Sequence, residues 1–162
     1  MSSPNGYSRW TFLFPIMGFL LSSYALYVEY KHEQDHDYVA LCDIDMETAS
    51  CSKVFSSEYG KILSYTNLVP KGSALDLPNA AFGLVIYIVV YVLMKINSVN
   101  ADLFLLLTSI SSLLFSAFLA YKLFFVLQDF CVVCVSIYIC NIGIFLSSWY
   151  HYVNIPKKNK EL

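Results

Sequence analysis

Apolar, uncharged residues form four long blocks along this chain, and polar segments separate them. The blocks cover residues 10–28, 77–94, 103–127 and 130–150, and Lys122 is the only charged residue inside them. A helix needs about 20 apolar residues to cross a hydrocarbon core about 30 Å thick. The pattern therefore predicts an all-α membrane protein built as a bundle of four transmembrane helices.

The four helices are expected to form one membrane domain of residues 1–162. Its parts are expected at about 10–28 for helix 1, 29–78 for the loop and cap, 79–95 for helix 2, 102–127 for helix 3, 130–150 for helix 4 and 151–162 for the tail. A cleaved signal peptide is the alternative for the first block. Its apolar run is longer than the usual core of about 7–15 residues, and no small-x-small cleavage site follows, which favours a retained helix.

The long polar segment contains one stretch with helical periodicity. In residues 52–65, SKVFSSEYGKILSY, the apolar side chains recur near helical spacing at Val54, Phe55, Tyr59, Ile62 and Leu63. An amphipathic helix of this kind lies in the membrane interface with its apolar face inward. We therefore expect a cap helix over one end of the bundle, where it would exclude water.

Charge decides the expected orientation of the bundle. The chain is 57% apolar and only 14% charged, whereas soluble domains carry about 25% charged residues. The segment 29–76 has nine acidic residues against four lysines, and Arg9, Lys95 and the lysines of the tail flank the opposite side. Basic residues favour the cytosolic side, so both termini should be cytosolic and the long loop luminal.

The end of the chain adds a second indication of the compartment. The last residues, KNKEL, place Lys160 third and Lys158 fifth from the end. Lysines at these positions of a cytosolic tail act as a retrieval signal in eukaryotes, and an ordinary basic flank is the alternative. Together with the charge pattern, they predict a multi-pass protein of the endoplasmic reticulum membrane.

Four of the five cysteines fall on the luminal side of this topology, where disulfides persist. Cys131 and Cys134 open the fourth helix, and Cys42 and Cys51 lie in the long loop. Residues three apart share a helix face, and the free N–H groups of a first helical turn favour a thiolate. A Cys-x-x-Cys pair in this position is typical of thiol–disulfide exchange.

Metal binding and passive burial are the competing interpretations of these thiols. A structural zinc site needs four ligands, and only His32 and His36 are available in the loop, where the cysteine spacing does not fit a zinc knuckle. Cys140 lies deeper in the fourth helix and is expected to be a small buried hydrophobe. We therefore predict no metal site.

Two polar residues are candidates for binding a ligand near the thiols. Tyr138 is four residues after Cys134, and Asn79 opens the second helix in PNAAFG. Hydrogen-bonding groups in an apolar enclosure suit an oriented ligand with carbonyl groups. A helix cap for Asn79 and an interfacial aromatic for Tyr138 are the alternatives.

Several strings of the sequence resemble the vitamin K epoxide reductase family. They occur in order between residues 24 and 141 and read YALYV, ALCD, SCSKVFSS, PNAAFG and LAYKLFFVLQDFCVVC, followed by Tyr138. SCSKVFSS together with Asp-Phe-Cys-x-x-Cys is highly specific for that family. The resemblance implies a membrane enzyme that reduces vitamin K epoxide to the quinone and the quinone to the hydroquinone.

The resemblance also implies a role for each candidate residue. Cys131 and Cys134 would be the catalytic pair, and Cys42 and Cys51 would relay electrons to it through a mixed disulfide between Cys51 and Cys131. Asn79 and Tyr138 would bind the substrate through hydrogen bonds. Its apolar part would contact Phe55, Phe82, Tyr87, Leu119, Leu123 and Leu127.

Cofactors and partners follow from the same resemblance. Vitamin K quinone or epoxide would be the substrate, a luminal thioredoxin-like protein or another dithiol the electron donor, and coumarin-type compounds the antagonists. The sequence contains no Gly-x-Gly-x-x-Gly string for a dinucleotide, and no tightly bound cofactor is expected. Membrane lipid should surround the bundle, and no nucleic-acid partner is expected.

Two other functions would use the same residues. In a quinone-coupled oxidase for protein folding, electrons would flow from client proteins through Cys42 and Cys51 to Cys131 and Cys134, and then into a quinone. In a non-enzymatic four-helix scaffold, both pairs would be structural disulfides. The sequence leaves these functions open beside the reductase.

Overall fold

The computed structural model describes residues 7–43, 50–73, 75–96 and 98–154, and this part of the chain contains helices and turns but no strand. A 3-10 helix at Arg9–Phe12 leads into the first α-helix, a 3-10 turn at Glu58–Gly60 follows the second, and a π-helical turn at Lys122–Leu127 continues the fifth. The α-helices of this part are α1 Leu13–Gln34, α2 Cys51–Phe55, α3 Ile62–Tyr65, α4 Asn79–Leu93, α5 Val99–Tyr121 and α6 Val132–Asn154.

Three of the described helical stretches are long and apolar enough to cross a membrane, namely Arg9–Gln34, Val99–Leu127 and Val132–Asn154. Large apolar side chains on them face outward, with Leu114 and Leu146 at 68% and 58% exposed. Such exposure suits contact with lipid and would be unfavourable in water. α4 is apolar but has only 15 residues. The all-helical, membrane-type fold is therefore confirmed, and the count of four spans stays a prediction.

Residues 50–65, named here the cap segment, fold into three short helical turns. The single amphipathic helix expected over this segment is wrong in that respect. The hydroxyl of Ser57 donates to the carbonyl of Val54 at 2.6 Å, and such side-chain bonds compete with a continuing helix. Gly60 lies so close to the carbonyl of Phe55 that a Cβ at this position would clash, so the chain folds back tightly here.

The helix α1 continues beyond its apolar block. The block ends at residue 28, but the helix runs on through charged residues to Gln34. Glutamate and lysine are good helix formers, so a helix can extend past the part that faces lipid. The extension reaches the cap segment, where Lys61 Nζ lies 2.7 Å from Glu33 Oε1 and 3.9 Å from Glu29 Oε1.

The opposite end of the bundle is held by a polar cluster. Tyr7 Oη donates to Asp102 Oδ1 at 3.1 Å, and His151 Nδ1 lies 3.4 Å from the same oxygen. These contacts join the segment before α1, the first turn of α5 and the last turn of α6. His151 belongs to α6, which ends at Asn154 rather than near residue 150. The lysines of the predicted retrieval signal, Lys158 and Lys160, lie outside the described residues.

Close helix packing depends on small residues between α1 and α4. The two helices pack along each other, α1 also contacts α6, and α5 packs along α6. A Cβ on Gly83 would lie 2.8 Å from Ser22 Oγ, and one on Gly18 would clash with the ring of Tyr87. Small residues at helix contacts allow membrane helices to approach closely, and here they place Tyr87 against α1.

Buried side chains form two clusters. One lies at the start of α1 and the end of α4 and includes Met94, Leu105 and Ile144. The other lies where α2 meets the start of α6, and its buried members are Ala25, Cys51, Leu123, Cys131 and Val133. Cys42 and Cys134 pack against this second cluster. The fold thus brings four cysteines that are distant in sequence into one core.

Candidate active site

The two cysteine pairs meet where α2 and α6 begin. Cys51 is the first residue of α2, and Cys131 immediately precedes α6. Their sulfur atoms lie 3.7 Å apart, and both side chains are fully buried. Cys42 and Cys51 form a disulfide with a Cα–Cα distance of 5.8 Å, whereas Cys131 and Cys134 are free thiols. The position of Cys51 next to Cys131 is that of partners in thiol–disulfide exchange.

Cys131 occupies the position before the first residue of α6. Its sulfur accepts a hydrogen bond from the N–H of Cys134 at 3.2 Å, and its carbonyl accepts one from Val135 at 3.0 Å. The first N–H groups of a helix have no partner within the helix. The sulfur of Cys131 is the partner of one of them, and this hydrogen bond holds the side chain at the start of α6.

A buried carboxylate attaches the cap segment to this helix end. Asp129 has a fully buried side chain, and its Oδ1 accepts hydrogen bonds from the N–H groups of Ser50 at 3.0 Å and Phe130 at 2.8 Å. The ammonium of Lys53 lies 3.1 Å from Oδ2. Because Ser50 precedes Cys51 directly, Asp129 fixes the distance between the two sulfur-bearing segments.

A second carboxylate organises the loop disulfide. Asp43 accepts hydrogen bonds from the N–H and hydroxyl of Ser52, at 3.0 and 2.6 Å, and from the hydroxyl of Ser50 and the N–H of Ala40. Partial burial raises the pKa of Asp43, but these hydrogen bonds outweigh it and leave the pKa below its usual value. The carboxylate therefore remains charged at neutral pH and holds Cys42 against the start of α2.

A cavity of about 680 Å³ opens beside the Cys131–Cys134 pair, within the usual range for a ligand pocket. Cys134 lines this cavity, whereas Cys131 does not and is fully buried. One thiol thus faces the cavity and the other faces Cys51. The walls include the residues that the family resemblance implied for substrate binding, namely Asn79, Tyr138, Phe55, Phe82, Tyr87, Leu119, Leu123 and Leu127.

Asn79 joins α4 to the cap segment. Its Oδ1 accepts a hydrogen bond from the N–H of Ile62 at 3.1 Å, and its Nδ2 donates to the carbonyl of Tyr59 at 2.6 Å. The side chain makes no capping bond on α4, where Pro78 holds the N-cap position. A primary amide has two N–H donors, so one of them remains for a ligand in the cavity. Among the described residues, Tyr138 Oη has no hydrogen-bond partner, so it is also available.

Three polar residues in the cavity wall were not identified from the sequence. Tyr87 Oη donates to Asn141 Oδ1, and Asn141 Nδ2 donates to Ser116 Oγ, both at 2.8 Å. Lys122 lines the cavity near its cap. An amide or a charge within a membrane helix is unfavourable unless it has a partner. That cost is the sequence signal for Asn141 and Lys122, although it does not name their partners.

Potential metal ligands converge at only one place among the described residues, at Cys42, Asp43 and Cys51. Both cysteines belong to the disulfide, so neither offers the thiolate that zinc requires. His32 and His36 contact each other edge to face, with ring centroids 5.6 Å apart, and do not belong to this group. The donors present here fit redox chemistry better than metal binding.

Comparison with known proteins agrees with this geometry. A family model described as Vitamin K epoxide reductase family matches residues 9–149. The chain is 38% identical over 135 residues to vitamin K epoxide reductase complex subunit 1 of mouse. The aligned region covers 83% of this chain and 83% of the mouse protein. The protein of the same name from rat matches with the same identity and coverage. This chain therefore belongs to the vitamin K epoxide reductase family, a family of oxidoreductases.

Proposed function

We propose that this protein reduces vitamin K epoxide to the quinone, and the quinone to the hydroquinone, at the expense of thiols. The observation that carries the proposal is the division between the two thiols of the Cys-x-x-Cys pair. Cys134 lines an apolar cavity, and Cys131 lies 3.7 Å from Cys51. One sulfur is therefore positioned for the substrate and the other for the electron supply.

The chemical step would begin with the thiolate of Cys134, which adds to the ring of the bound quinone or epoxide. Cys131 then attacks the sulfur of Cys134, the carbon–sulfur bond breaks, and a disulfide forms. Two thiols lose two electrons and two protons. The quinone gains them and becomes the hydroquinone, whereas the epoxide becomes the quinone and releases one water.

Asn79 and Tyr138 would orient the substrate and stabilise its developing oxyanion. The free N–H of Asn79 and the hydroxyl of Tyr138 both border the cavity that Cys134 lines. Removing one oxyanion donor from an enzyme site typically costs about 100- to 1000-fold in rate. The other wall residues would hold the apolar part of the substrate, and a coumarin-type antagonist would occupy the same space.

Electrons would return through the loop pair. Reduced Cys51 attacks Cys131 of the oxidised catalytic pair and forms a mixed disulfide, which Cys42 then resolves. The products are a Cys42–Cys51 disulfide and two free catalytic thiols, the arrangement found here. Cys51 is fully buried and Cys42 is partly exposed. A thioredoxin-like protein or another dithiol would therefore reduce the loop disulfide by attack at Cys42.

The topology belongs to the same proposal. α4 would be the fourth membrane span, both termini would be cytosolic, and the cap segment with the four cysteines would lie in the lumen of the endoplasmic reticulum. The charge distribution supports this orientation, with nine acidic residues against four lysines in segment 29–76. Alkylation of single-cysteine variants by a membrane-impermeant reagent in sealed microsomes tests it, and labelling of Cys42 from the cytosolic side would contradict it.

Replacement of the catalytic thiols tests the proposed reaction. Cys131→Ser and Cys134→Ser should each abolish reduction of vitamin K epoxide and quinone by purified protein with a dithiol reductant. Cys140→Ala is the matched control, since this thiol is buried elsewhere in α6, and it should retain activity. Turnover that persists in either serine variant would remove the assignment.

The relay is tested by a change of reductant. Cys42→Ala should lose most of its activity with thioredoxin as the reductant but retain more with dithiothreitol, which is small enough to reach the catalytic pair directly. Equal losses with both reductants would count against an electron relay through the loop.

A further inference from the structure

Lys122 is a charged residue within a segment that is otherwise apolar from 103 to 127. It begins the π-helical turn Lys122–Leu127 at the end of α5 and is only partly exposed. A charged side chain in a membrane helix is costly unless it is paired or reaches the surface. The contacts that offset this cost therefore indicate what the residue does.

The ammonium of Lys122 lies among aromatic rings of the cap segment and of α5. Its Nζ is 4.9 Å from the ring centroid of Tyr59, 5.4 Å from that of Tyr65 and 5.6 Å from that of Phe118. It also donates a hydrogen bond to Tyr65 Oη at 3.3 Å. All three rings lie within the distance over which a cation and an aromatic face attract each other.

These contacts bridge two separate parts of the fold. Tyr59 and Tyr65 belong to the cap segment, and their rings pack together at 4.8 Å. Lys122 belongs to the membrane helix, and both Tyr59 and Lys122 line the cavity with Cys134. Lys122 thus closes the side of the cavity between the cap and the end of α5.

The cap segment has other attachments on its remaining sides. Asn79 holds the main chain of Tyr59 and Ile62 to α4, and Lys61 pairs with Glu33 of α1. The Lys122 contacts, unlike those of Asn79, involve no main-chain group of the cap segment, so they can separate while Asn79 still holds the segment to α4. The α5 side is therefore where the cavity can open without unfolding the cap.

We propose that Lys122 is a positioning residue that latches the cap segment over the cavity and sets the access of large apolar ligands to Cys134. The identity of the natural ligand rests on the proposed function, but the latch itself does not. Loss of the cation should raise the open fraction of the cavity by about threefold to thirtyfold, the range expected for cation–π contacts that are partly desolvated.

Alkylation of Cys134 measures the latch without any turnover. Purified full-length protein is mildly reduced and treated with a bulky maleimide, and the rate of modification of Cys134 is followed by peptide mass spectrometry. Lys122→Met should react about threefold to thirtyfold faster than the unaltered protein, because methionine is of similar length but carries no charge. Lys122→Arg should restore the slow rate, and Tyr65→Phe should give an intermediate rate because the ring remains and the hydroxyl is lost.

Lys95 offers a matched control at the other end of α4. Its Nζ lies 4.6 Å from the ring of Phe12 and 5.4 Å from that of Tyr91, away from the cavity. Lys95→Met should leave the alkylation rate of Cys134 unchanged. Equal rates for Lys122→Met and the unaltered protein would overturn the latch, as would equal acceleration by Lys95→Met.

A kinetic measurement separates the latch from the proposed function. With vitamin K quinone as substrate, Lys122→Met should raise KM by no more than the factor seen in alkylation and leave kcat within about twofold. A loss of kcat at unchanged KM would overturn the latch. Absence of turnover in the unaltered protein would instead contradict the proposed function, and the alkylation rates would still decide the latch.

Discussion

Replacement of Asp129 is the most informative perturbation of the proposed electron relay. Its carboxylate connects the cap segment to the start of α6 through the N–H of Ser50 and the ammonium of Lys53. The third hydrogen bond comes from the N–H of the adjacent residue Phe130, so it does not join the two segments. Asp129→Ala should therefore release Cys51 from its position opposite Cys131 while α6 remains intact.

The magnitude follows from the two bridging contacts. A hydrogen bond to a charged acceptor contributes about 1.5–3 kcal/mol, and an ion pair with a half-exposed lysine at most about 1 kcal/mol. The docked position should lose about 1.5–4 kcal/mol, a factor of about 10 to 900 in its equilibrium constant. Asp129→Asn retains an acceptor oxygen, so the equilibrium constant for the docked position should fall only about tenfold. Lys53→Met should lower the same equilibrium constant by less than about fivefold.

The assay is formation of the Cys51–Cys131 disulfide in a background of Cys42→Ala, Cys134→Ala and Cys140→Ala, which leaves these two thiols. Diamide supplies the oxidising equivalents, and the disulfide is quantified by peptide mass spectrometry. The rate should fall in the order unaltered Asp129, Lys53→Met, Asp129→Asn, Asp129→Ala. Equal rates for Asp129→Ala and the parent protein would refute the role of this carboxylate.

Three further predictions concern other parts of the structure. The pKa of Asp43 is lower in the folded protein than in the unfolded chain. The contribution of this carboxylate to the stability of the loop is therefore complete above about pH 4, and it is lost as the pH falls through the pKa of the folded protein. Resistance of the loop to pepsin should accordingly drop below about pH 4 in the unaltered protein, and Asp43→Asn should abolish this dependence; resistance that stays constant from about pH 5 to about pH 2 would contradict it. Asn141→Leu should lower the free energy of unfolding in detergent by about 1–3 kcal/mol, because Tyr87 Oη and Ser116 Oγ lose their shared partner, and an unchanged melting curve would argue against this network. Cys140→Ala should change neither quinone turnover nor the disulfide pattern, and a new mixed disulfide in its absence would show that this thiol takes part in exchange.

Much of the fold could be predicted because lipid imposes a simple pattern on the sequence. A span must be apolar over about 20 residues, so the helices containing residues 10–28, 103–127 and 130–150 were visible as uncharged blocks. Their ends were less visible, since charged residues extend α1 to Gln34 without breaking the helix. The break in the cap segment depends on a hydrogen bond from the Ser57 hydroxyl and on the close approach of Gly60 to the carbonyl of Phe55. The spacing of apolar residues does not reveal such contacts.

The site divides in a similar way. The cysteines and the cavity residues were found from spacing and from a family resemblance. The structure places the cavity residues and Cys134 around one cavity, and it packs the four cysteines in the adjoining core. The spacing argument placed Cys131 and Cys134 on one helix face, but α6 begins after Cys131, and this offset turns one thiol toward Cys51. The contacts of Asp129 and Lys122 join positions far apart in sequence, and a single sequence carries no signal for such pairs.

A single turnover of fully reduced protein with vitamin K quinone is the decisive test of the proposed transfer of electrons from the cysteines to the quinone. One equivalent of quinone is added, hydroquinone is measured by fluorescence, and the disulfides are mapped by mass spectrometry after an acid quench. We expect one disulfide for each hydroquinone formed, at Cys131–Cys134 in the Cys51→Ala variant and at Cys42–Cys51 in the unaltered protein. Hydroquinone formed without oxidation of these cysteines, or the same disulfide in both proteins, would contradict it.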